Sequence, residues 1–181
     1  MKIRFILAAA IAAVAFLAAD AVATAAPKSP VNAKKLYTLT SPNGFVLRNT
    51  LGEQEVAPHY LVKPDTKDRN QFYSFFQDGD AYVIWCPING KAFDTDGSTE
   101  GGILLGSWSF EPGNPNQQYI LTPAGKNAVT ISHKATGCKV LIEGEDKEGA
   151  YIRFGRPDET PTVWKLVPVK EPVPKERGSE D

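Results

Sequence analysis

The 181-residue chain carries 20 basic and 21 acidic side chains, a formal net charge of −1. This balance, with no run of Lys and Arg, excludes the electrostatic footprint of a nucleic-acid binder.

In chain order, Lys2 and Arg4 precede an apolar run from Phe5 to Ala19, and small residues Ala23, Thr24 and Ala25 follow. This is the pattern of a cleaved secretory signal over residues 1–25, too short for a membrane span. Leu17–Ala19 is followed by Asp20 and not by cysteine, which speaks against a bacterial lipid anchor. The expected product is exported, secreted or periplasmic, and not membrane-spanning. Residues 26–35 read as a Pro-containing linker. Residues 168–181, rich in Pro and charge, read as a flexible tail that cannot offset its ordering entropy by burial.

The interval 36–167 suits a single core. Its apolar stretches are short and punctuated by Gly, Pro, Asn and Asp, the pattern of strands and turns, and no convincing helix emerges. Tyr37–Thr40 leads to Pro42, Asn43 and Gly44; Tyr82–Trp85 leads to Pro87 and Gly90; Val129–Ser132 leads to Thr136 and Gly137. Each is a β-rich segment before a Gly-containing turn.

An aromatic phrase then closes each unit. Asn70-Gln71-Phe72-Tyr73 recurs as Asn116-Gln117-Gln118-Tyr119 and, degraded, as Pro161-Thr162-Val163-Trp164. Tyr73, Tyr119 and Trp164 are 46 and 45 residues apart, and the turn glycines 44, 90 and 137 are 46 and 47 apart. One unit of about 45 residues is therefore repeated three times, over about 36–80, 81–126 and 127–167. Such units, each unable to bury its apolar face alone, predict an all-β fold closed by threefold repetition, a β-trefoil. A three-bladed array or a plain sandwich fits less well.

The string Gly90-Lys91-Ala92-Phe93-Asp94, then Ile103-Leu104-Leu105, then Asn116-Gln117-Gln118-Tyr119 resembles one repeat of a ricin B-type lectin domain. The resemblance extends over most of the trefoil and is strongest in the middle repeat. It implies a shallow carbohydrate pocket for a galactose-type or related sugar, with no cofactor or metal. In such a pocket Asp94 accepts from sugar hydroxyls, Asn116 donates to one, Gln117 orients the carboxylate, and an aromatic ring stacks on the pyranose. The chemistry is sound, because carboxylates make short charge-assisted bonds to hydroxyls and a sugar's C–H face packs on a ring.

Departures limit the expectation to one site at most. Leu104 and Gly106 stand where the family places a Gln and the stacking Trp, so either Trp108 supplies the platform or the pocket lacks one. Repeat one has Arg48 in place of the Asp while keeping Asn70 and Gln71. Repeat three has Ile142 there, and Pro161-Thr162 in place of Asn-Gln.

Each of these residues also has a purely structural reading. Tyr73, Tyr119 and Trp164 follow the fold and read as core. Gln71 and Gln117 can satisfy buried backbone groups, and Asp94 with Asp96 can be turn chemistry. The run Asp94–Glu100, which could suggest a calcium loop, lacks the third acidic position before its Gly and the spacing to a closing Glu that an EF-hand requires. His59 and His133 lie in no nucleophile elbow or metal-ligand spacing, and no carboxylates are paired at a glycosidase separation. Cys86 and Cys138 belong to different repeats, and either a bridge or two thiols is compatible with the spacing.

Three functions remain in order of weight: a non-catalytic lectin-like module, a degenerate trefoil scaffold acting through protein surfaces as an inhibitor or adhesin, and, far behind, a secreted hydrolase.

Overall fold

A computed structural model describes residues 29–50 and 58–173. The leader expected over 1–25, and the tail from 174, lie outside the described residues. Repeat one supplies β1 (Lys35–Thr40), β2 (Val46–Asn49), β3 (His59–Val62) and β4 (Ser74–Asp78). Repeat two supplies β5 (Ala81–Cys86), β6 (Lys91–Asp94), β7 (Ile103–Leu104), β8 (Gly106–Ser109) and β9 (Tyr119–Gly125). Repeat three supplies β10 (Ala128–His133), β11 (Lys139–Ile142), β12 (Ile152–Gly155) and β13 (Trp164–Pro172).

The outer strands of the three units close a barrel. Within each repeat the first and last strands meet: Tyr37 lies opposite Tyr73, Tyr82 opposite Tyr119, and in repeat three Ala128 and Val129 lie opposite Lys165 and Trp164. Between repeats, β4 pairs with β5, β9 with β10, and β13 returns to β1, all antiparallel. The inner hairpins β2–β3, β6–β8 and β11–β12 form the cap. This is the β-trefoil that the threefold period predicts. Closure leaves no unit to bury its apolar face alone and removes the exposed edge an open sheet would have.

The recurring aromatics are the core. Tyr73, Tyr119 and Trp164 are fully buried. Phe93 stands edge-on to Tyr73 and Tyr119, with ring centroids 5.5 and 5.9 Å away, a geometry in which positive ring edges meet negative faces. The turn glycines 44, 90 and 137 all have positive φ, which explains their period: a side chain at that bend would be strained.

Packing extends past both compositional boundaries. Val31 is buried in the main core, Asn32 donates its amide to the Tyr37 hydroxyl at 2.9 Å, and the Tyr82 hydroxyl donates to Ser29 Oγ at 2.7 Å. At the other end β13 runs to Pro172, with Tyr37 opposite Pro168 and Lys35 opposite Pro172. The described part of the expected linker and the first residues of the expected tail are therefore held. Composition missed this because one buried valine and a neighbouring strand edge suffice to order a polar segment. Cys86 and Cys138 are both free and buried, and burial pushes the Cys86 thiol up to about 11.

Two short 3-10 turns, Arg69–Gln71 and Pro115–Gln117, contain the Asn-Gln phrase of repeats one and two. Each is capped by the residue before it: the Asp68 and Asn114 side chains accept from the amides of Asn70 and Asn116. An acceptor two residues before the Asn fixes the start of each turn.

Candidate functional site in the middle repeat

Asp94 ends β6 and lies 6% exposed. Its Oδ2 accepts from Gln117 Nε2 at 2.9 Å and its Oδ1 from the Asp96 amide at 2.7 Å. A carboxylate offers about four lone-pair directions, and these two bonds occupy one on each oxygen. The turn reading of Asp94 is therefore seen directly, and the Gln bond fixes the same carboxylate.

Gln117 is fully buried at the end of its 3-10 turn. Its Nε2 also donates to the Ser109 carbonyl at 2.8 Å, and its Oε1 accepts from the Glu111 amide at 3.0 Å. It therefore holds the carboxylate and the chain after β8 together. Asn116 is half-buried beside Asp94, and its carbonyl accepts from the Thr95 amide at 3.3 Å. Among the described residues its side-chain amide has no protein partner.

Trp108 is displaced from the carboxylate. Across β6–β8 the residue opposite Asp94 is Gly106, and Trp108 stands opposite Ala92. Directly opposed residues share a face, so the indole lies on the Asp94 side of the hairpin but two pairs further along. The Lys91 ammonium sits 5.7 Å from its ring centroid. The structure thus brings Asp94, Asn116 and Gln117 together and leaves Trp108 at the margin.

Repeat one has a different constellation that the sequence reading only half anticipated. Arg48 occupies the Asp94 position, and its register partner is Tyr60, where repeat two has Gly106. Arg48 Nε donates to Asp68 Oδ2 at 2.6 Å and Nη1 to the Tyr60 hydroxyl at 2.7 Å. Burial pushes the Asp68 carboxyl up, but bonds from Arg48 and Asn70 outweigh it and hold its pKa below the usual value. In repeat three Ile142 lies opposite Ile152, and the next pair sets Leu141 opposite Arg153, which is clamped by Glu143 and Glu159 at 2.6 Å each. Bonds from Arg153 and the Arg156 amide hold the Glu159 carboxyl down at about 2.

The histidines are structural ties between repeats. His59 Nε2–H donates to the Gly106 carbonyl at 3.2 Å, and its Nδ1 accepts from the Tyr73 hydroxyl at 3.4 Å. His133 Nε2–H donates to the Pro115 carbonyl at 2.8 Å. Burial pushes His59 down to about 3. Among the described residues no three His, Cys, Asp or Glu side chains gather as metal ligands, and no helix is long and apolar enough to cross a membrane.

Comparison with known proteins agrees with this architecture. Residues 69–155 match the family model described as ricin-type beta-trefoil lectin domain-like. The designed threefold-symmetric protein ThreeFoil superposes with a TM-score of 0.65 at 21% identity, over 74% of this chain and 99% of that one. A Polyporus squamosus lectin, solved with the epitope Neu5Aca2-6Galb1-4GlcNAc, gives 0.60 at 15% identity, over 75% of this chain and 49% of its own. The cytolethal distending toxin of Actinobacillus actinomycetemcomitans gives 0.58 at 17% identity, over 80% and 96%. At these identities the structural likeness establishes the trefoil alone. No curated protein matches the chain.

Proposed function

Proceeding from a trefoil whose residues 69–155 match the ricin-type lectin-like model, we propose that the protein is an exported, non-catalytic carbohydrate-binding module. It takes one galactose-type or related sugar in its middle repeat. The observation that carries this reading is the Gln117–Asp94 bond at 2.9 Å, which aims a fixed carboxylate beside the unpartnered amide of Asn116. Asp94 accepts from two ring hydroxyls and Asn116 donates to one, the charge-assisted bonds a sugar needs to offset its desolvation. Gln117 positions the carboxylate. Trp108 borders the site, with the Lys91 ammonium 5.7 Å from its ring centroid. No step of bond making or breaking is required of any residue.

A glycan-array screen of the protein beside Asp94→Ala tests this. Binding to a defined glycan that disappears in a folded Asp94→Ala variant supports the site, whereas retention by the variant removes Asp94 from it. A second reading, a scaffold working through protein contacts, is favoured by one feature, the side-chain-free Gly106 opposite Asp94. Silence of the folded protein across the array would transfer the argument to that reading.

A further inference from the structure

Repeats one and two build the same groove on the outside of the barrel from different side chains. Thr38 lies opposite Val167 as Val83 lies opposite Phe76, and Thr40 lies opposite Val46 as Trp85 lies opposite Ala92. Gln71 accepts from the Asp65 amide as Gln117 accepts from the Glu111 amide, which makes Pro64 the counterpart of Phe110. In repeat two the groove is filled from within. The Trp85 and Phe110 rings stack with centroids 4.8 Å apart, and Phe76 stands edge-on to Phe110 at 5.4 Å. In repeat one Thr40, Pro64 and Val167 replace those three rings. A cavity of about 620 Å³ lies open there along Thr38, Thr40, Val46, Pro64, Phe72 and Val167, and neither Arg48 nor Tyr60 lines it.

A cavity of this size, with apolar walls and a few polar groups, is ordinary for a small-molecule site. Ring faces suit it, because the same frame in repeat two accommodates two rings in contact. The rim adds charge of both signs, from Lys170 on β13 and Asp65 after β3. Among the described residues Lys170 makes no ion pair, and the Asp65 carboxylate is bonded only by the Lys67 amide at 2.8 Å. The third rim charge, Glu171, is held by Arg69 at 3.1 Å. An unpaired cation and an unpaired carboxylate on one rim complement a ligand that carries both charges itself.

We propose that the open groove of repeat one binds a zwitterionic aromatic, with the chemistry of a free aromatic amino acid. The ring enters the space that Trp85 and Phe110 fill in repeat two, the carboxylate meets Lys170 and the ammonium meets Asp65. The groove is independent of the Asp94 site and of any carbohydrate.

The test titrates tryptophan into the protein labelled at its valine methyls, with signals assigned through Val46→Ile and Val167→Ile. A ring seated in the groove shifts both methyls saturably, with a dissociation constant on the order of 1 mM for a ligand of this size. Leucine, which has the charges without the ring, should leave them still. Thr40→Trp with Val167→Phe writes the repeat-two pattern into repeat one, and in a folded variant it should abolish the shift at Val46. Lys170→Gln, at an exposed position, should weaken tryptophan about threefold and leave tryptamine, which lacks the carboxylate, unchanged. Methyls that stay still at ten times the expected dissociation constant overturn the proposal. So do equal shifts with leucine, or tryptophan binding that persists in the filled variant. A Lys170→Gln variant that weakens tryptophan and tryptamine alike overturns the pairing with the carboxylate. Shifts that follow protein concentration without ligand overturn it as well, and assign the groove to a second copy of the chain.

Discussion

Repeats one and two place the same glutamine in the same frame around opposite charges. In repeat two, Gln117 Oε1 accepts from the Glu111 amide and Nε2 donates to the Ser109 carbonyl; in repeat one, Gln71 Oε1 accepts from the Asp65 amide and Nε2 donates to the Lys63 carbonyl. The carboxylate differs: Gln117 also holds Asp94 on β6, whereas Gln71 reaches Asp68 at 3.4 Å, ahead of its own 3-10 turn, and the β2 position is taken by Arg48. The glutamine therefore belongs to the fold, and the acid it holds belongs to the site.

The largest effect that could break this comparison comes from the glutamines themselves. Gln71→Ala and Gln117→Ala should each lower unfolding free energy by about 2–4 kcal/mol, since each leaves backbone groups and a carboxylate without partners. Urea denaturation reads both. Near-equal losses are expected, and a neutral Gln71→Ala would mean that repeat one holds its frame by other means.

A smaller effect tests the tie between the two regions. His59, on repeat one's hairpin, holds the Gly106 carbonyl of repeat two and titrates at about 3 because it is buried. A His whose folded pKa lies below its unfolded value of about 6.5 binds fewer protons folded than unfolded, so stability is full above that value and falls as pH drops. The loss should approach about 1.4 kcal/mol per pH unit, or roughly 2 kcal/mol between pH 6.5 and 5. Carboxylates contribute little in that window, because those held low, Asp68, Asp80 and Glu159, lose their contribution only as pH falls below their ordinary unfolded values, beneath that window. His59→Gln, which keeps a donor, should flatten the slope whatever it does to stability at neutral pH; an unchanged slope would place the titrating group elsewhere.

Much of the architecture was legible because it is periodic. The aromatics at 73, 119 and 164 and the glycines at 44, 90 and 137 each mark a place where closure demands one residue type, so spacing alone revealed the trefoil. The grouping of Asp94, Asn116 and Gln117 was legible only because it copies a motif. The Arg48–Tyr60–Asp68 constellation was missed because its members are local replacements whose meaning lies in register: only pairing shows that Tyr60 opposes Arg48 as Gly106 opposes Asp94. The open groove of repeat one is further out of reach, since no spacing within a repeat brings Val167 of repeat three opposite Thr38.

The smallest expected change in stability carries the sharpest test of the comparison. Asp68 caps its 3-10 turn as Asn114 caps the next, so Arg48→Asp with Asp68→Asn rewrites repeat one in the pattern of repeat two. Arg48→Asp alone sets a new carboxylate near Asp68 and should cost about 1 kcal/mol or more, because it removes a partly exposed ion pair and leaves like charges close. The second change removes the repulsion and keeps an oxygen acceptor for the Asn70 amide, so the double variant should regain most of that loss. It should also gain what repeat two lacks, a carboxylate directly opposite an aromatic ring, with Gln71 and Asn70 already in place. Isothermal titration with the sugar that binds the middle repeat should then give two sites where the parent gives one, with the new site lost in a triple variant carrying Tyr60→Ala. A stoichiometry that stays at one in a folded double variant would show that the acid and the ring do not suffice, and that the difference between the repeats lies in the backbone that carries them.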